Sequence, residues 1–185
     1  MARTTFDGPV RSLNGFYSTG PGMVVNITAD TTLTVAAHAG RIITLNNATC
    51  KITLPSIVTT ATPSAAGPGD DPNTLNNQGA TFRFYLETTA TDLDIKTDGT
   101  DKFVGSIGVG ISTSTYEIYS PGASDDVMTF NGSTTGGLVG SYIECTVLKS
   151  VQYLVQGGLA GSGSIATPFA TSETLSWRGF AAPPT

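Results

Sequence analysis

Along most of this chain, apolar and polar residues alternate one for one. That period of two marks strands with one face buried. It predicts strands over 23–28, 32–36, 41–45, 51–54, 81–87, 92–97, 115–119, 127–130, 141–148 and 151–156, with a broken one over 103–111. These stretches are rich in Thr, Val, Ile, Tyr and Phe, which fit a pleated, half-buried surface. Turn signals punctuate them: Asn46-Asn47, Asp98-Gly99, Pro121-Gly122 and Asn131-Gly132. No stretch keeps an apolar stripe at helical spacing over three turns. Short strands at this density predict a single antiparallel β-sandwich or barrel-like domain. Its expected core is Ile43, Leu45, Ile52, Leu54, Phe82, Phe84, Ile143, Val147 and Leu154.

Three segments break the alternation. Residues 1–21 are punctuated by Gly and Pro and carry Arg3, Phe6 and Arg11. Residues 55–79 form a loop far longer than a hairpin needs, rich in Pro, Gly, Asn and Thr. After 157 the chain becomes a Gly/Ser run and ends with Trp177, Phe180 and Pro183-Pro184. The division is therefore an N-terminal arm over 1–21, a β-domain over 22–160 that contains the 55–79 loop, and a C-terminal tail over 161–185. Arms on a stiff body suit a subunit that reaches its neighbours. Arg3, Phe6, Arg11, Trp177 and Phe180 are its expected partner-binding residues, Trp177 above all, since buried Trp is enriched at interface hot spots. The arm, the long loop and the tail from Ile165 are expected to order against a partner.

With 185 residues the chain suffices for one domain with a real core. The hydrophobic share of 39% against 12% charged excludes a disordered chain. Nine Lys and Arg face 14 Asp and Glu, and the cations form no run. That argues against a nucleic-acid groove, which needs clustered cations. No apolar run is long enough for a helix to span a bilayer. Met1 to Gly8 carries no apolar signal core, so synthesis in the host cytoplasm is expected.

Catalytic chemistry finds little footing. The sole histidine, His38, lies in Ala36-Ala37-His38-Ala39-Gly40, with no nucleophile elbow beside it. It reads as a turn-edge imidazole bonded to backbone. Cys50 shares a strand face with Ile52 and Leu54, and Cys145 with Ile143 and Val147. They read as inert core thiols, with a disulfide between them as the alternative. Asp92, Asp94, Asp98 and Asp101 crowd one hairpin. A calcium site at Asp98–Asp101 competes there with turn carboxylates that cap backbone N–H groups, and the spacing lacks a closing Glu. Adjacent strand residues face opposite ways, so Asp125-Asp126 is no glycosidase pair unless it lies in a turn. Asn26, Asn47 and Asn131 open glycosylation sequons that read as chance matches. The glycines of 105–110 and 157–163 are not followed by the helix a phosphate loop needs, and instead allow close backbone approach. The expectation is a non-enzymatic protein with no cofactor and no metal.

Two passages carry a resemblance. One runs from Thr31 through Ala36-Ala37-His38-Ala39-Gly40 to Asn46, followed by Ile52-Thr53-Leu54-Pro55. The other runs from Asp126 through Phe130-Asn131-Gly132-Ser133 to Gly137, followed by Ser141-Tyr142-Ile143-Glu144 and by Gly161 to Phe169. Together with Phe6-Asp7-Gly8-Pro9-Val10, this arrangement resembles head-decoration and structural virion proteins of tailed phages of the marine and cyanobacterial type. The likeness covers roughly residues 1–55 and 80–170, while the long 55–79 loop and the tail after Phe169 depart from the pattern. The resemblance implies a capsid decoration (cement) protein on the virion exterior. Its implied partners are the major capsid protein and other copies of itself, as a homotrimer matching local three-fold positions. The alternative is a tail or fibre component that binds host surface glycans through Tyr116, Tyr119, Tyr142 and Tyr153. The competing account of those tyrosines is burial in the core or in a subunit interface.

Overall fold

A computed structural model describes residues 20–59, 76–111 and 115–172. In chain order the strands are β1 (Val24–Ile27), β2 (Thr31–Thr32), β3 (Ile42–Leu45), β4 (Lys51–Thr53), β5 (Thr81–Leu86) and β6 (Leu93–Lys96). Then come β7 (Lys102–Ile111), β8 (Tyr116–Tyr119), β9 (Val127–Phe130), β10 (Tyr142–Lys149), β11 (Gln152–Gly161) and β12 (Phe169–Ala170). One helical turn, α1 (Val35–His38), lies between β2 and β3.

Among the described residues the strands form two sheets. The larger has the order β1-β3-β5-β10-β11-β7-β8 and the smaller β12-β9-β6-β4-β2. The protein is thus an all-β sandwich with open edges rather than a closed barrel. From β1 to β7 the chain changes sheet at every strand. Each return therefore enters the same sheet in the same direction, and β1–β3–β5 and β2–β4–β6 run parallel. The pairing of β7 with β11 is also parallel. The expectation of an antiparallel domain is corrected on this point, and only the later pairings, such as β5–β10, β10–β11 and β6–β9, are antiparallel.

The inner faces meet in one apolar cluster. Ile43, Leu45, Phe82, Phe84, Ile143, Cys145, Val147, Tyr153 and Val155 come from the larger sheet. Ile52, Ile95, Met128, Phe130 and Phe169 come from the smaller one, with Leu54 just beyond β4. Each large side chain so buried contributes about 1.5–3 kcal/mol. Phe103 and Phe169 bridge the sheets with centroids 6.4 Å apart. Leu154 is the exception among the expected core residues. Its strand neighbours Tyr153 and Val155 face inward, so strict alternation turns Leu154 out.

The expected strand over 32–36 is replaced by β2 and α1. Thr34 caps the turn, its Oγ1 accepting from Ala37 N at 3.3 Å, and the alanines that follow favour helix. The expected break within 103–111 is absent, because β7 runs unbroken beside β11. The Gly/Ser run after 157 is not yet tail, since β11 continues to Gly161.

The described part of the tail also docks on its own domain. Phe169 is buried and pairs with Met128. Beyond it, Ser172 donates from N (2.7 Å) and Oγ (3.1 Å) to the buried Asp126 carboxylate, which also binds Lys102 Nζ at 2.8 Å. The expected order of the segment from Ile165 against a partner thus has, over 165–172, a source within the chain itself. The base of the long loop is pinned likewise. Ile57 N donates to Asp101 Oδ2 (2.9 Å), Val58 N to Asn77 Oδ1 (2.9 Å) and Asn77 Nδ2 to the Ser56 carbonyl (2.9 Å).

Tyr153 ties that loop base to the core. Its hydroxyl, fully buried, donates to the Pro55 carbonyl at 2.6 Å, and burial pushes its pKa up. Tyr153→Phe strands that carbonyl away from water. Urea denaturation is expected to show a loss of about 1–2 kcal/mol with an unchanged slope.

Candidate binding face

The outward face of the larger sheet carries several exposed aromatic and aliphatic side chains, among them Ile42, Tyr85, Tyr116, Ile118 and Tyr142. Alternation in β5 sends Phe82, Phe84 and Leu86 inward and Thr81, Arg83 and Tyr85 outward. In β10 it sends Tyr142, Glu144 and Thr146 outward. Register then sets Tyr142 opposite Tyr85 and Glu144 opposite Arg83. On the other side, Glu144 faces Gln156 and Tyr142 faces Gly158. Tyr85, Tyr142 and Ile42 are 41%, 58% and 48% exposed.

Glycines let two of the rings lie flat. A β-carbon on Gly158 would stand 3.0 Å from the Tyr142 ring, and one on Gly108 would collide with the ring of Tyr116. Such covering of a strand glycine by a neighbouring aromatic holds the ring in place without burying its outer side. Two clefts result. One, of about 460 Å³, is lined by Ile42, Arg83, Tyr85, Tyr142, Glu144 and Gln156. The other, of about 600 Å³, lies between Tyr116, Tyr142 and Leu138 over the glycines of β11.

The polar side chains of the first cleft form a fixed network. Arg83 Nε donates to Glu144 Oε2 at 2.8 Å, and Gln156 Nε2 donates to Glu144 Oε1 at 2.9 Å. Both carboxylate oxygens are engaged, and the opposite charges cancel locally.

The residues singled out from the sequence fall in different places. Arg3, Phe6, Arg11, Trp177 and Phe180 lie outside the described residues. Tyr116 and Tyr142 are exposed on the outer face. Tyr153 is core, which removes it from any glycan surface. Tyr119 packs against the core and donates its hydroxyl to Glu117, and that bond is the main cause of a pKa pushed up to about 12. Tyr85 was missed by sequence reasoning, although the alternation Thr81-Phe82-Arg83-Phe84-Tyr85-Leu86 marks it as outward.

The remaining candidate groups serve the fold. His38 Nδ1 sits 3.0 Å from Thr34 N and 3.1 Å from Thr34 O, at the ends of one helical turn. Cys50 and Cys145 are free and buried in different parts of the core, and burial pushes both thiols up. Asp98 Oδ1 accepts from Thr100 N (2.9 Å) and Asp101 N (3.1 Å). Burial opposes its charge, yet these bonds and the Ser56 hydroxyl outweigh it and hold the carboxyl below its ordinary range. Asp101 is pushed up by burial, partly offset by the bond from Ile57 N. Among the described residues, no group of three or more His, Cys, Asp or Glu is arranged to hold a metal ion.

The fold and face together define a two-sheet β-sandwich with exposed tyrosines on the outer face of its larger sheet. No family model, no curated protein and no solved structure matches this chain.

Proposed function

We propose that this chain is a non-enzymatic phage capsid decoration protein that binds the outer surface of the virion head lattice. Its partners are the major capsid protein and further copies of itself, as a homotrimer.

The observation that carries a docking role is the tip of the β10–β11 hairpin. Lys149 pairs with Gln152, leaving Ser150-Val151 as a two-residue turn. Such turns favour Asn or Gly, which tolerate positive φ. Here Val151 takes φ +55 and is 46% exposed, beside Leu148 at 42%. A β-branched residue in the left-handed region is a backbone outlier that costs about 1–2 kcal/mol. Strain of this kind persists where the surrounding structure enforces it, and such outliers cluster at functional sites. The tip is braced by the long loop, through Gln78 Nε2 to the Leu148 carbonyl (2.9 Å) and Gly79 N to the Val147 carbonyl (2.8 Å). An apolar knob held stiffly at one end of a sandwich suits repeated docking on a lattice, where many weak contacts add through avidity.

Adding the purified chain to virus particles that lack it, and counting bound copies by cryo-electron microscopy, tests the reading. Hundreds of copies at lattice positions support it, and a few copies at the tail overturn it. Val151→Gly relieves the strained turn, so stability is expected to hold or rise by about 1 kcal/mol. Occupancy on particles is expected to fall. Unchanged occupancy would remove the hairpin tip from the contact.

A further inference from the structure

We propose that the cleft between Tyr85 and Tyr142 is a binding site for neutral pyranose sugars. The inference uses the chemistry of the glycan-binding alternative but does not depend on where in a particle the chain sits. Nor does it compete with docking through the hairpin tip, since it uses a sheet face.

A pyranose ring has an apolar face of C–H groups and a rim of hydroxyls. It is recognised by an aromatic ring beside planar side chains that offer donors and acceptors at fixed positions. The cleft presents both. Tyr142 and Tyr85 stand directly opposite on neighbouring strands and leave much of their rings exposed. Tyr142 is backed by Gly158 and so is held at the surface.

The rim chemistry is equally fixed. Glu144 is clamped from both sides by Arg83 and Gln156. With Nε engaged, the Arg83 guanidinium keeps its terminal N–H donors, and Gln156 keeps its amide oxygen as an acceptor. Each carboxylate oxygen of Glu144 retains a further lone pair.

Charge decides between ligand classes. Arg83 and Glu144 neutralise each other at 2.8 Å, so the cleft carries no net charge to attract a phosphate, a sulfate or a basic peptide. A neutral ligand rich in hydroxyls complements it. The volume of about 460 Å³ lies within the range of small-ligand sites and leaves room for one or two sugar rings. All these groups stand on strands of one sheet, which fixes their spacing better than loops would.

The test uses the full chain and four probes taken singly: cellotriose, maltotriose, chitotriose and lactose. Saturation-transfer NMR detects binding, and calorimetric titration measures it. At least one probe is expected to bind with a Kd of about 1 mM or tighter. Tyr142→Ala and Gln156→Ala are both surface changes, checked for folding by circular dichroism. Each is expected to weaken that binding about tenfold or more. Absence of binding by all four probes overturns the proposal, as does binding that survives both substitutions. A third outcome also overturns it: no sugar binds and Tyr142→Ala converts an oligomer into a monomer in sedimentation, which makes the face a contact between copies. Failure here leaves lattice decoration standing, because that is read on particles, and failure of decoration leaves the sugar site standing.

Discussion

Gly137→Ala is expected to destabilise the fold by about 2–5 kcal/mol, a large share of a typical domain's stability. Two separate costs add. Gly137 has φ +103, where a side chain strains the backbone by about 1–2 kcal/mol. Its new β-carbon would also stand 2.8 Å from the Phe130 β-carbon and 2.9 Å from that of Ala90, both fully buried. Overpacking of this kind costs about 1–3 kcal/mol. The Gly137 carbonyl accepts from Ala90 N at 2.8 Å, so the segment cannot simply swing away. Gly140→Ala separates the two terms. It has φ +92 but open space around the added carbon, and only the strain of about 1–2 kcal/mol is expected. Urea denaturation of both variants checks the difference, and equal losses would show that crowding contributes nothing.

The second large effect concerns the smaller sheet. Lys51 Nζ lies 2.9 Å from Asp94 Oδ2 and 3.0 Å from Asp92 Oδ2. Asp94 is buried, and its Oδ1 has no partner among the described residues. Lys51→Met leaves a buried carboxylate uncompensated. The expected cost is about 2–4 kcal/mol, just below the usual figure for a fully buried pair because Lys51 is partly exposed. Lys51→Met combined with Asp94→Leu removes both charges and is expected to recover most of that loss. A double variant no better than the single one would show that the charge of Asp94 is not the cause.

The pH dependence has a definite sign. Burial works against the Lys51 charge, but the bonds to Asp94 and Asp92 outweigh it and raise its pKa. A raised lysine pKa gives stability that is fully present below the ordinary lysine value and is lost as pH rises through the folded-state value. The gap between the native chain and Lys51→Met is therefore expected to stay constant through neutrality. On the alkaline side it should narrow above about pH 10.4.

Much of this architecture is legible in the order of residues. Alternation alone marks most of the strands. It also places Cys50 and Cys145 in the core and explains why Tyr85, Tyr142, Arg83 and Glu144 share an outward face. Side-chain parity is a local property, since each residue of a strand points opposite to the last. The misplacement of Leu154 is a parity error that its neighbours Tyr153 and Val155 could have corrected. Thr34-Val35-Ala36 by itself suits a strand, and only the Thr34 cap taken together with the alanines points to α1.

Only the tertiary structure decided which strands are neighbours. The winding from one sheet to the other between β1 and β7, and the parallel pairing it produces, involve contacts between residues far apart in sequence. Periodicity carries no information about partners. The same holds for the face itself. Tyr142 comes to lie between Tyr85 and Gly158, and Glu144 between Arg83 and Gln156, because the distant strand β5 settles in one register beside the β10–β11 hairpin. Sequence decides what each strand can bury, while the joint packing of two sheets decides what the exposed side chains stand beside.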